Sequence, residues 1–194
     1  IHILAGNLTF RTVVDMGDPN KTATVESGAI LGLYGNSSKL NKIVVLNTNA
    51  TLQSGLTSGQ STNNFYGPII LRGTSTLYAN TSDLYLWNGL NGTGGFKKTG
   101  ASVLYLNGTN TYIGPTYINV GNVVLGANSS LGGSSFIQVS NACTLNISAP
   151  ASVSLGFNQT LRGSGTVLGG NLILDSGATL APGYSGSTTG QLTI

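Results

Sequence analysis

The chain has 194 residues, of which only 7% are charged, and a formal net charge of +3. Soluble proteins carry about 25% charged residues, so this chain depends for solubility on neutral Ser, Thr and Asn side chains. Its eight Lys and Arg residues are dispersed, which argues against the basic face of a nucleic-acid-binding protein. The single Cys excludes an internal disulfide, and no apolar run reaches the roughly 18 residues of a membrane span.

Short segments in which apolar and polar residues alternate recur along the chain. A period of two residues is typical of β-strands with one buried face, and Gly, Asn and Ser mark the turns between them. No segment keeps the period of an amphipathic helix. The chain is therefore predicted to be all-β with little or no α-helix. The alternating segments are 31–33, 50–52, 77–79, 84–86, 103–106, 118–125, 144–147, 152–155, 171–174 and 191–194.

Two architectures contain many short strands: a sandwich or barrel, and a solenoid. Recurrence at roughly 10 to 20 residues favours the solenoid, in which stacked turns bury one continuous core. With roughly 18 to 20 residues per turn and about 4.8 Å between turns, the chain would form about ten turns. Residues 1–194 are predicted to be one domain. Its least repetitive part, residues 1–24, is a candidate cap, pairing strand or extra turn.

The alternation also predicts which side chains point inward. Leu104 and Leu106 are expected inside the coil, and Ile118 and Val120 are expected to lie inside on either side of an outward Asn119. The one Cys, Cys143, follows the same alternation and is predicted in or beside the core, with an intermolecular disulfide as the alternative.

The clearest repeat lies in residues 64–133. It contains Gly92-Thr93-Gly94-Gly95-Phe96-Lys97-Lys98-Thr99-Gly100, then a strand, Asn110-Thr111-Tyr112 and a second pair of strands. This segment resembles the autotransporter-associated β-strand repeat of bacterial passenger domains. The last segment, 176–194, which includes Leu180-Ala181-Pro182-Gly183, is similar to the closing turn of such arrays.

The resemblance implies a right-handed parallel β-helix that is exported, loses its signal peptide and is displayed outside a bacterial cell. It implies no catalytic residue and no cofactor. Secretion by autotransport does not follow from it, because the same repeat also occurs in large surface proteins without a translocator.

Residue types that support catalysis or metal binding are scarce. Of the five acids, only Asp15 and Asp18 are close in sequence. With Asn20 they form a weak calcium-like loop, but calcium needs about six to eight oxygen ligands, so a polar turn is favoured. His2 is the only His, which excludes a His-based triad or a multi-His metal site. The chain is predicted not to be an enzyme and to bind no metal.

Two polar motifs are given structural interpretations. The Gly-rich segment 92–95 followed by Lys97 and Lys98 suggests phosphate binding, but it lacks the helix that such a loop needs, so a turn is predicted. Ten Asn-X-Ser/Thr sequons are present. Asn and Thr suit solenoid turns, and glycosylation of the sequons is left open.

Aromatic residues crowd the middle of the chain. The alternation directs Tyr85, Trp87 and Tyr105 outward, so aligned turns would place them in a stripe on one face. One interpretation is that their stacking only stabilises the sheet. The other is that they form a lateral contact or a carbohydrate-binding platform.

Both ends of the expected stack are strand-like and carry few charges. An uncapped strand edge pairs with any strand that meets it. The leading hypothesis is therefore a non-enzymatic extracellular protein whose copies assemble head to tail into a surface fibre or layer. The alternatives are the stalk of an adhesin that binds glycans or host surfaces, and a polysaccharide-acting enzyme, which the scarcity of carboxylates disfavours. The candidate assembly edges are Ile1, Ile3, Leu4, Leu8, Phe10, Leu192 and Ile194.

Overall fold

A computed structural model describes residues 1–11, 16–34, 39–55, 62–131, 133–183 and 191–194. Within these ranges the chain forms 23 strands and no helix, which confirms the all-β prediction. The strands are β1 His2–Ile3, β2 Asn7–Phe10, β3 Thr22–Val25, β4 Ile30–Tyr34, β5 Lys39–Leu40, β6 Ile43–Leu46, β7 Thr51–Gly55, β8 Thr62–Phe65, β9 Ile69–Leu71, β10 Ser75–Ala79, β11 Asp83–Leu86, β12 Leu90–Asn91, β13 Phe96–Thr99, β14 Leu104–Leu106, β15 Thr116–Ile118, β16 Asn122–Leu125, β17 Phe136–Val139, β18 Thr144–Asn146, β19 Val153–Leu155, β20 Thr160–Gly163, β21 Thr166–Leu168, β22 Leu172–Leu174 and β23 Thr179–Pro182.

Strands of successive turns stack into parallel sheets, so the fold is a β-solenoid. The first face contains the sheet β1-β3-β6-β9-β12 and, in later turns, the pair β19-β22. The second face is the nine-stranded sheet β2-β4-β7-β10-β13-β15-β17-β20-β23. The third face is the sheet β5-β8-β11-β14-β16-β18-β21. The chain visits the three faces in this cyclic order.

The turns differ in length, and some are longer than expected. Thr160 pairs with Thr179, which matches the expected spacing, whereas Val44 pairs with Ile69, which lies clearly further along the chain. The described residues complete about eight turns, so the expected ten are not confirmed. The corner segments between strands differ in length, and the longer ones account for the smaller number of turns.

The core is a set of inward rows that run along the coil. On the third face, Leu84, Leu104, Val123 and Leu145 are successive partners, and all are buried. Each such side chain contributes about 1.5–3 kcal/mol when fully buried. Strands of two to five residues would not hold together without this stacking.

The alternation fails where a strand ends. Ile118 is buried, but Val120 is 47% exposed, so the prediction that Val120 points inward was wrong. Strand β15 ends at Ile118, and Gly121 takes a φ of +75°. The chain turns between these residues, and a turn has no period of two.

Polar residues inside the coil form hydrogen-bond chains across turns. The Tyr112 hydroxyl lies 2.6 Å from Thr116 Oγ1, which lies 3.0 Å from Ser134 Oγ. Ser134 Oγ in turn donates to the Gly114 carbonyl. Tyr112 is therefore a core residue and not part of an outward stripe, and burial raises the pKa of its hydroxyl.

Gly95 is required by the close approach of two turns. A Cβ at this position would lie 2.0 Å from the Pro115 carbonyl oxygen. We expect Gly95→Ala to lower the free energy of unfolding by about 1–3 kcal/mol, because the turns must separate to accommodate the methyl group. Urea unfolding monitored by circular dichroism measures this change.

The matched control is Gly156→Ala. Its added Cβ would lie 3.5 Å from Gln159 Oε1, an ordinary contact. Equal unfolding midpoints for the two variants would contradict the proposed role of Gly95.

Candidate functional site

Four aromatic side chains form a cluster on the outer surface of the third face. We call Tyr66, Tyr85, Trp87 and Tyr105 the aromatic cluster. Tyr85 and Tyr105 are register partners on β11 and β14, with ring centroids 4.1 Å apart and planes at 9°. Trp87 lies 6.1 Å from the rings of both Tyr66 and Tyr85. The structure thus brings together all three aromatic residues that the sequence singled out.

The cluster is fixed from both sides. The Trp87 indole Nε1 donates to Asn64 Oδ1 at 2.8 Å, which holds an indole that is 47% exposed. Burial, followed by a hydrogen bond with Tyr105, raises the pKa of Tyr85 to about 12. Each stacked pair contributes about 0.5–1.5 kcal/mol beyond its area burial.

The geometry determines which surfaces of the rings remain available. Tyr85 and Tyr105 turn one face toward each other, and both residues are half-buried. Trp87 and Tyr66 are the more exposed members. A flat ligand would therefore meet the cluster at these two residues.

Sequence reasoning missed Tyr66 and Asn64. Strand β8 pairs Asn64 with Tyr85 in the following turn. Tyr66 and Trp87 are separated in sequence by the same number of positions as Asn64 and Tyr85. This shared spacing of outward residues could have indicated that Tyr66 lies beside Trp87. It becomes informative only when the length of that turn is known.

The N-terminal end of the coil is an open edge. Among the described strands, β1 pairs only with β3, and β2 only with β4. Of the predicted edge residues there, Leu4 is 70% exposed and Ile1 is also exposed. Leu8 and Phe10 are half-buried, and Ile3 is buried.

The C-terminal end is open on the first and second faces. Within the described ranges, β22 pairs only with β19, and β23 only with β20. Leu174, which continues an inward row, is 46% exposed, and Ile173 is 44% exposed. Leu172 and Leu180 are partly buried at the same end. These residues were not anticipated from the sequence.

The predicted C-terminal edge residues lie at the same end, on the third face. Leu192 is only 9% exposed, and Thr193 forms a parallel bridge with Thr166 on the third face. Ile194 is exposed. The open C-terminal edge therefore comprises β22 on the first face, β23 on the second face and the segment around Thr193 on the third face.

The Gly-rich segment that suggested phosphate binding is a turn between stacked strands. The Gly94 N–H donates to the Leu71 carbonyl, and the Gly95 carbonyl accepts from the Ser75 N–H. Lys98 points into the coil and is fully buried. The backbone groups of Gly94 and Gly95 therefore form hydrogen bonds inside the fold.

The buried ammonium of Lys98 is held by turn carbonyls. Its Nζ donates to Thr99 O at 3.1 Å, Gly100 O at 2.6 Å and Val120 O at 3.0 Å. Burial lowers the pKa of Lys98 to about 8. Cys143 is buried as predicted; burial raises the pKa of its thiol, and the neighbouring Lys98 charge opposes this.

The acidic residues do not converge. Asp15 lies outside the described residues, and Asp18 Oδ1 accepts from the Asn20 N–H, as in a polar turn. Glu26 lies 3.7 Å from His2, and Asp83 accepts from the Val103 N–H. In the described parts of the chain, no three His, Cys, Asp or Glu residues come together in a way that could hold a metal ion.

The described residues include no helix capable of crossing a membrane.

Comparison of the chain with family models, curated proteins and solved structures finds no match. The solenoid fold thus stands on its own geometry, and the resemblance to the autotransporter-associated repeat stays a prediction.

Lys98 makes stability depend on pH. Its folded-state pKa of about 8 lies below its usual value of 10.5, so the unfolded chain binds more protons between these values. Stability should therefore rise with pH through this range. We expect Lys98→Met to abolish this rise, as measured by urea unfolding from pH 7 to 9.5, below the range in which the raised pKa values of Tyr85 and Tyr112 act in the opposite sense.

The control is Lys97→Met, which alters the neighbouring outward Lys and should keep the rise. Both variants are made in a Cys143→Ala background, because the thiol, whose pKa is raised, acts in the opposite sense. A rise that persists in Lys98→Met would contradict the assignment.

Proposed function

We propose that this chain is a non-enzymatic extracellular structural protein, whose β-solenoids assemble end to end into a surface fibre or layer. The observation that carries the proposal is the pair of open ends. Each end presents unpaired strand edges beside exposed apolar side chains, including Leu4 at one end and Leu174 at the other.

The end strands lack most of the devices that prevent edge-to-edge pairing. Natural sheets protect their edges with charged residues, proline or covering segments. Strands β1, β2, β22 and β23 contain no Asp, Glu, Lys or Arg. Pro182, at the end of β23, is their one proline. A copy stacked on either end would bury the exposed apolar residues and pair the free peptide groups.

The low charge of the chain supports assembly as well. With 7% charged residues and a net charge of +3, neighbouring copies repel each other weakly. Export to a bacterial surface and membership of the autotransporter-associated repeat family are parts of the proposal, and they rest on the resemblance of residues 64–133. Right-handed winding belongs to the proposal too, since parallel crossover connections are right-handed in nearly all proteins.

A charge on the open edge should stop assembly. We expect Leu174→Lys to abolish filaments in negative-stain microscopy of the purified protein, because stacking would desolvate the new ammonium. Val120→Lys, with the same charge at an equally exposed site in mid-coil, should leave filaments intact.

Two results would overturn end-to-end assembly. One is that the unmodified protein stays as short isolated rods at high concentration. The other is that Leu174→Lys polymerises as well as the unmodified protein.

The second candidate function is adhesion through the aromatic cluster to neutral glycans. The observation that favours it is the exposed Trp87 indole, which Asn64 holds in one orientation. A fixed aromatic surface loses little conformational entropy when it binds.

Removing the exposed aromatic surface tests this candidate. Tyr85→Ser combined with Trp87→Ser should weaken glycan-array binding at least tenfold while the circular dichroism spectrum is retained. Tyr117→Ser, on the second face, is the matched control. Equal binding by all three proteins would count against a glycan platform.

A further inference from the structure

The strand order at the two ends is continuous. In chain order, β21 lies on the third face, β22 on the first and β23 on the second, and Thr193 then bridges to the third face. The next strand of the cycle would belong to the first face. The chain itself starts on that face, with β1 followed by β2 on the second face.

We propose, on the basis of the proposed end-to-end assembly, that β1 and β2 of one copy add in parallel to β22 and β23 of the next. The junction continues the coil without a missing strand on either face. Its register places Ile1 beside Leu172, Ile3 beside Leu174, Leu8 beside Leu180 and Phe10 beside Pro182.

The inward rows select this register on the first face. Ile3 is the partner of the buried Val25, and Leu174 is the partner of the buried Leu155, so both occupy inward positions. A shift by one residue would place His2 inside the coil, because successive side chains point to opposite faces.

The second face supports the same register, because the corner between the two strands has a similar length in both copies. Leu180 lies six positions after Leu174 and pairs with the buried Leu161. In the incoming copy, Leu8 lies five positions after Ile3 and pairs with the buried Leu31. Aligning Ile3 with Leu174 therefore brings Leu8 beside Leu180 with a one-residue difference at the corner. That corner contains Gly6 at a φ of +74°.

The free peptide groups are complementary in this register. The Ile1 carbonyl accepts from the Thr24 N–H and the Ile3 carbonyl from the Glu26 N–H, so the peptide groups of His2 face the open edge. The Asp175 N–H donates back to Leu155, so the groups of Leu172 and Leu174 face the opposite edge. In a parallel pair, the His2 N–H then donates to Leu172 and the Leu174 N–H donates to His2.

One hydrogen bond is missing from the second face of the junction. Thr179 N–H donates back to Gln159, so the groups of Leu180 and residue 182 face outward. Pro182 has no N–H. The carbonyl of Thr9 in the incoming copy therefore has no N–H donor, which limits the strength of the junction.

This contact joins two different surfaces, so it does not close on itself and generates an open filament. Nine strands of the second face at about 4.8 Å each give an axial repeat of about 43 Å per copy.

Disulfide trapping tests the register. In a Cys143→Ala background, His2→Cys and Ile173→Cys are introduced into the same chain. Both side chains are exposed and outward, and register partners about 4.8 Å apart lie within the Cα range for a disulfide. Oxidised filaments should give a ladder of covalent multimers on a denaturing gel, and reductant should collapse it to monomer.

The control replaces Ile173→Cys by Leu168→Cys. Leu168 is comparably exposed at the same end but lies on the third face. Filaments that form without a ladder, or a ladder of equal extent in the control, would overturn the register and leave end-to-end assembly standing. If the unmodified protein forms no filaments, the proposed function fails and the junction fails with it.

Discussion

Hydrogen bonds between the peptide groups of successive turns are the interaction on which the rest of this structure depends. The nine-stranded second face shows this best, since each inner strand is bonded on both sides by strands of neighbouring turns. Individual strands have two to five residues and would be unstable alone. The turns must also approach closely enough to bond, which explains why Gly95 lies against the Pro115 carbonyl.

The same parallel register brings like residues together. An aromatic residue repeated one turn later stacks on its predecessor, as Tyr105 does on Tyr85. Inside the coil, repeated hydroxyls form the chain from Tyr112 through Thr116 to Ser134. Lys98 shows the cost of an exception. Lys98 stands where an inward row would otherwise have an apolar residue. Its ammonium is accommodated only because three backbone carbonyls accept hydrogen bonds from it.

The stacking of parallel turns does not by itself limit the number of turns. Each turn satisfies the peptide groups of the turn before it, so the described end strands keep unpaired peptide groups on their outer edges. Charged side chains normally protect such edges, and the described end strands of the first and second faces contain no Asp, Glu, Lys or Arg. Among the described residues, the aromatic cluster is a group of stacked rings on a chain that carries few charges.

The sequence by itself determined the features that depend on neighbours along the chain. Alternation and turn residues identified an all-β solenoid, placed Leu104 and Leu106 inside, and directed Tyr85 and Trp87 to the same side of one strand. It could not supply the register between turns, because corners of different length make the spacing of register partners vary from one turn to the next. Only the tertiary structure therefore decided that Tyr66 lies against Trp87, and that the coil completes about eight turns. The register likewise placed β22 and β23 at the open edge together with the segment around Thr193, because residues far apart in sequence become neighbours only when each turn has a defined length.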